Sequence, residues 1–160
     1  MSEFNFKSSI CTSLEQSERL LALGLKKETA DMTHHYLHST DSYELKDIEF
    51  SRVMHLQELV NKKPVLGKSG DDLYAKDIPA WGLHRLIEMM PKCVMAHSIG
   101  DDSPRLHPYV PKFDYQGVTI ENIDEILADF YEHTDLFDNI IDCIEWLIKE
   151  GHFGKEYLEE

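Results

Sequence analysis

Apolar residues recur along this chain with two periods, and helical spacing is plainest in the last third. Ile123, Ile126, Leu127, Phe130 and Tyr131 fall on one face of a helix. Leu136, Phe137, Ile140, Ile141, Ile144, Leu147 and Ile148 keep the same period. Asn122 with Glu125 spells a capping box ahead of the first run. Thr134 or Asp135 caps the second run, and Gly151 closes it. The spacing predicts helices over 122–132 and 135–150. The link His133-Thr134-Asp135 is short, so the two should pack as a C-terminal helical hairpin.

Earlier segments are more mixed. Residues 1–10 are polar with scattered Phe4, Phe6 and Ile10, and either fray or lie extended along the body. Ser13 and Gln16 form a second capping-box pattern, Leu14, Leu20, Leu21 and Leu23 follow, and Gly24 stands where a helix end favours a left-handed residue. A helix is expected over 14–23. Met32 to His38 is short and rich in β-tolerant residues and reads as a strand. Ser39 to Glu44 reads as a loop. Leu45, Ile48, Val53, Leu56, Leu59 and Val60 come at roughly helical spacing, which predicts a helix over 50–61. Lys62 to Asp77, with Pro64, Gly67 and Gly70, reads as an exposed loop.

Ile78-Pro79-Ala80-Trp81 leads into a helix over 80–90 that Pro91 ends. Cys93 to Ser98, Leu106 to Phe113 and Tyr115 to Ile120 read as strands, the last two paired around Asp114 to Gly117. Pro108 and Pro111 confine their strand to a sheet edge or break it. The expected fold is α+β: four to five helices packed on a small, mostly antiparallel sheet, in one domain over 1–160.

Composition agrees with a packed core, since 42% of the 160 residues are hydrophobic. The net charge of −14 disfavours a direct grip on nucleic acid or on an anionic membrane surface. No stretch approaches the ~20 apolar residues of a membrane span. The first ten residues lack the basic-then-apolar order of a signal peptide. Cytoplasmic localisation is the expectation. Cys11, Cys93 and Cys143 are far apart and odd in number, with neither zinc-ligand nor disulfide-framework spacing. Cys143 sits in an apolar helical stripe and reads as a small buried hydrophobe. No cofactor is implied.

Several letters invite chemical readings. His34, His35 and His38 cluster, and His34 with His38 would share one face of a strand, making them the candidate metal ligands, with Asp31 or Asp41 nearby. The plainer reading is a polar strand edge. Gly67-Lys68-Ser69 is not a phosphate loop, because the motif's first glycine position is Lys62. His97, Ser98, Asp101 and Asp102 spell a triad only as neighbours in sequence, whereas triads assemble in space. Trp81 and Trp146 offer anchors for a partner, but the core or its rim is the expected place for both.

Charge is the strongest anomaly. Residues 121–160 hold thirteen acids against Lys149 and Lys155, a net of −11 within the chain's −14. Asp138, Asp142 and Glu145 stand at i, i+4 and i+7, a carboxylate stripe suited to steering a basic protein partner. A solvated face that serves solubility is the alternative.

Three places together resemble a family of uncharacterised small phage and mobile-element proteins of gut bacteria. They are Leu23-Gly24-Leu25 leading through Glu28 to Met32, Ile78-Pro79-Ala80-Trp81 leading into Leu86 to Pro91, and the C-terminal helix with Trp146-Leu147 ending at Gly151. Where that family has a small polar residue after the tryptophan, this chain has Gly82. The resemblance implies a mobile-element origin and carries no activity. The expected function is a non-catalytic protein-interaction module working through the acidic helical face. The alternative is a small-ligand or metal-binding protein or enzyme with a histidine-containing site on the sheet, drawing on His34, His35, His38, His97 and Tyr115.

Overall fold

A computed structural model describes residues 9–47, 76–100 and 102–160. Three α-helices stand among them, α1 (Leu14–Ala22), α2 (Leu83–Met89) and α3 (Leu136–Lys149), with 3-10 turns at Lys27–Thr29 and Lys155–Tyr157. Seven strands follow in chain order: β1 (Met32–Leu37), β2 (Ser42–Asp47), β3 (Ile78–Ala80), β4 (Val94–Ala96), β5 (His107–Phe113), β6 (Val118–Glu121) and β7 (Ile126–Phe130). They form two antiparallel sheets, ordered β2-β1-β3 and β4-β5-β6-β7. The architecture is therefore α+β, built on two sheets where one was expected. The chain divides into two compact units, Met1–Leu21 with Lys27–Arg85, and Ala22–Lys26 with Leu86–Glu160.

In the first unit, α1 begins as its sequence demands. The Ser13 N–H donates to Gln16 Oε1 at 2.9 Å, and the Gln16 N–H donates to Ser13 Oγ at 3.2 Å. This is a reciprocal capping box. Strands β1 and β2 make a hairpin in which Tyr36 faces Tyr43 and His34 faces Leu45. The expected loop over 39–44 is thus shorter, and Leu45 belongs to a strand. Its neighbours alternate: Tyr43 and Leu45 lie on one face, Ser42, Glu44 and Lys46 on the other. Counting Leu45 with Ile48 as a helical step missed that alternation. The expected helix over 50–61 and most of the expected loop over 62–77 lie outside the described residues.

Among its described residues this unit buries several polar side chains. Thr12, Gln16, Ser17, Thr29 and Thr33 are buried beside Leu20, Ala30, Ala80 and Trp81. Trp81 is fully buried, and its indole N–H donates to Thr29 Oγ1 at 2.9 Å. Thr12 Oγ1 accepts the Trp81 N–H at 3.0 Å and lies 2.7 Å from Ser17 Oγ. Among the described residues, every buried side-chain nitrogen and oxygen has a partner, as burial requires.

The second unit is a two-layer arrangement. Helix α3 packs against β6 and β7, burying Phe137, Ile140, Ile141, Cys143, Ile144 and Leu147. Val94, Tyr109, Val118 and Ile120 are buried on the sheet. Asp135 caps α3 by accepting the Phe137 N–H at 2.9 Å. At the other end Gly151 takes φ 76°, with its N–H on Ile148 O at 3.1 Å and the His152 N–H on Leu147 O at 2.8 Å. That is a Schellman close. Burial of the Cys143 thiol pushes its pKa up to about 12.

The helix expected over 122–132 is a turn followed by strand β7, so the C-terminal element is one helix on a sheet and the predicted helical hairpin does not form. Asn122 Oδ1 accepts the N–H groups of Asp124 and Glu125 at 2.8 and 2.9 Å, as a cap would. However, the Asn122 N–H donates to Glu125 O at 3.0 Å, which closes a tight turn. A register shift in the β6–β7 ladder places an extra residue in β7. Such a bulge breaks the alternation of a strand, and here it leaves apolar spacing that imitates a helix. β5 lies between β4 and β6 in the strand order, where Pro108 and Pro111 predict an edge strand or a broken one. β4 pairs with its first half, at 107–109, and β6 with its second half, at 110–113. Each proline therefore has a neighbour on one side, where a missing N–H costs least.

Candidate functional site

Three side-chain constellations stand out. In the first unit, β1 presents His35 to Asp77, just ahead of β3. His35 Nδ1 lies 2.9 and 3.0 Å from the two Asp77 oxygens, and Asp77 Oδ1 also accepts the Tyr36 N–H at 3.0 Å. Both side chains are largely buried, at 14% and 10% exposure. Tyr36 is surrounded by polar and aromatic groups. Its hydroxyl donates to Asp41, Lys76 Nζ stands 4.1 Å over its ring, and His38 and Tyr43 meet it edge-on at 4.9 and 5.3 Å.

The two candidate metal ligands have different partners. His34 lies within β1 with Nε2 2.8 Å from Thr12 O, whereas His38 lies past the strand end, against Tyr36. Because a carbonyl only accepts, that His34 nitrogen carries the proton. Asp31 accepts the Gly82 N–H at 2.7 Å, and Asp41 accepts from Tyr36. Among the described residues, no three His, Cys, Asp or Glu side chains are placed to hold a metal ion. His97 and Tyr115 belong to the second unit and stand at opposite ends of its sheet, one after β4 and the other in the β5–β6 turn.

The second constellation centres on Glu125, at the end of the β6–β7 turn. Its carboxylate accepts from the Ser98 hydroxyl, the Tyr109 hydroxyl and, at 3.2 Å, the Ile99 N–H. The Ser98 and Tyr109 hydrogen bonds hold the carboxyl below the usual glutamate range, assisted by the Ile99 N–H and by His107 nearby, against the opposing effect of desolvation. The same bond, then burial, raises the Tyr109 phenol. Ser98 thus has a carboxylate partner, but it is Glu125. Asp102 was a neighbour in sequence only, and Asp101 lies outside the described residues. With three donors, this carboxylate is committed to holding the β4–β5 loop, β5 and the β6–β7 turn together. Its role is positioning.

The third constellation is the acidic stripe. Asp138 and Asp142 are half-buried on α3 and Glu145 is exposed. Asp142 Oδ2 lies 3.0 Å from His133 Nε2. Just inside the helix start, Asn139 is fully buried. Its amide donates to Gln116 O at 2.7 Å and His133 O at 2.8 Å and accepts the His133 N–H at 2.9 Å. This amide pins the 131–135 link to the helix. The acidity of the last forty residues is therefore distributed over a turn, a strand and one helix, and part of it has local work: Asp135 caps, Glu121 binds Lys112 and Thr119, and Glu125 clamps.

Glu125, Tyr109 and Asp77 were not found from sequence. The sequence pattern with Asn122 places Glu125 in a helix cap. Its side-chain partners lie 27 and 16 residues away, and Asp77 reaches back 42 residues to His35. No local spacing signals such pairings.

No family model matches the chain, and no curated protein or solved structure gives a match either.

Proposed function

We propose that this protein is a non-catalytic interaction module of a prophage or other mobile element, working in the cytoplasm and receiving a basic protein partner on the acidic face of α3. The observation that carries the reading is the −11 balance of residues 121–160. So one-sided a segment projects a negative potential that speeds encounter with a basic surface. The chemistry of Glu125 fits the same reading, since a carboxylate saturated by three donors serves architecture. Among the described residues, no helix is long and apolar enough to cross a membrane.

The test is charge reversal of Asp138, Asp142 and Glu145 to lysine, followed by crosslinking and pull-down at low and moderate salt. The expected result is loss of the captured basic partner, with capture by the native chain weakening as salt rises. Unchanged capture by the reversed chain sinks the reading.

The His35–Asp77 pair supports a second reading, a small-ligand site on the first sheet. A carboxylate on Nδ1 orients an imidazole for acid–base or ligand work. Thermal-shift screening of the native chain against small anions and divalent metals, repeated on His35→Asn, separates the two readings. Any stabilisation lost in the variant favours the ligand site.

A further inference from the structure

The face of the second sheet opposite α3 has a composition that its fold does not explain. A helix on one side lets the other side be polar. Met95 on β4 pairs with Pro108 on β5, and Val110 follows two residues on. Val110 pairs with Glu121, which pairs in turn with Ile126. All four apolar residues of this row are exposed. At the far end of the same face the row Lys112, Thr119 and Asp129 is polar. The apolar half adjoins the sheet end where the β4–β5 loop and the β6–β7 turn project. Each of these carries an exposed isoleucine, Ile99 at 63% and Ile123 at 98%.

Glu125 fixes both projections at once, since its carboxylate binds Ser98 and the Ile99 N–H while its own N–H closes the Asn122 turn that displays Ile123. Ordering loops in advance removes part of the entropy cost of binding, and contiguous exposed apolar surface marks interaction sites. We propose that this sheet face, with the Ile99 and Ile123 tips, docks a protein segment whose apolar side chains are flanked by lysine or arginine. Charge selects that occupant. The β6–β7 side of the face carries Glu121 and Asp129, and Asp124 lies on the β6–β7 turn, while Lys112 already bonds Glu121. A second copy of this chain would bring another −14 to the contact. The inference rests on the proposed basic protein partner and gives that partner a second contact, on the sheet, beside the helix stripe.

Backbone-amide NMR of the full chain, titrated with a synthetic peptide of alternating leucine and lysine, tests it. Shifts should concentrate at Met95, Ile99, Val110, Ile123 and Ile126, and a serine–lysine peptide should not produce them. The triple variant Met95→Ser/Val110→Thr/Ile126→Thr should weaken peptide binding by about ten-fold or more. Neutralising Asp138, Asp142 and Glu145 to amides should leave it within about two-fold. Shifts confined to α3, or binding lost only in the amide variant, would overturn the sheet assignment while upholding the helix-stripe reading. Equal binding of the serine–lysine peptide would show charge alone at work. A dimer in sedimentation that the triple variant abolishes would assign the face to self-association. Either result overturns the proposal, and the shift map of the native chain stands even if the triple variant fails to fold.

Discussion

The two compact units bury different chemistry. Among its described residues the first buries hydroxyls and an amide around Trp81, those of Thr12, Gln16, Ser17, Thr29 and Thr33, beside Leu20 and Ala80. The second closes around α3 with Ile140, Ile141, Ile144 and Leu147, and Asn139 is its buried polar side chain among the described residues. Directional bonds define the first interior, because each buried donor or acceptor is costly to leave unmade. Apolar volume defines the second, where burial is non-directional and removing atoms opens a cavity. The lesson is that equal burial does not mean equal sensitivity. Shape-conserving changes should hurt the first unit, and volume changes should hurt the second.

The largest expected effect is Ile144→Ala, which should cost about 2–5 kcal/mol in urea unfolding. The milder Ile141→Val should cost about 0.5–1.5 kcal/mol. Thr12→Val keeps the volume but strands the Trp81 N–H and Ser17, so it should cost about 1–3 kcal/mol. If Thr12→Val costs less than Ile141→Val, the contrast between the units is broken.

Gly117→Ala probes a different limit. A Cβ there would stand 2.1 Å from Phe130 O and 2.9 Å from the Tyr131 ring. Backbone cannot yield as a side-chain tip does, so the cost should reach at least the about 1–3 kcal/mol of overpacking. Its signature is loss of the β6–β7 amide protection in hydrogen exchange.

Among the described residues, the carboxyls held low lie in the second unit. Backbone N–H donors from Gln116 and Gly117 depress Asp114, Lys112 with Thr119 depresses Glu121, and Ser98 with Tyr109 depresses Glu125. Carboxyls whose folded pKa lies below the unfolded value stabilise fully above the unfolded value. That contribution is lost as pH falls through the folded one. Urea midpoints should therefore drop below the ordinary carboxylate range. Glu125→Gln should lower the neutral-pH midpoint and flatten that drop, and an unchanged acid slope would deny the clamp its charge.

The smallest perturbation is a thiol label. Cys93 is exposed, while Cys11 in the first unit and Cys143 in the second are buried. Burial, then Asp31, raises the Cys11 thiol, and burial alone raises Cys143. Without denaturant one cysteine, Cys93, should react. With rising urea, Cys11 should become reactive before Cys143 if the hydroxyl-rich unit opens first. Simultaneous exposure would mean that the difference in interiors does not divide stability.

Much of the local structure was legible in advance, because its partners lie within a few residues. Ser13 with Gln16, Gly24 at φ 91°, Asp135, Gly151 and the Asp114–Gly117 turn each do what their neighbours in the chain require. Trp81 and Cys143 are buried as their settings implied. What local reading could not supply was long-range pairing. Leu127 beside Ala128 suits a helix as well as a bulged strand, and only β6 alongside selects the strand. Glu125 suits a capping box as well as a clamp, and Ser98 and Tyr109 draw its carboxylate away from the turn. Caps and turns are settled by chain geometry over three or four residues. Strand registers and buried carboxylates are settled by whichever distant groups folding brings within hydrogen-bond range.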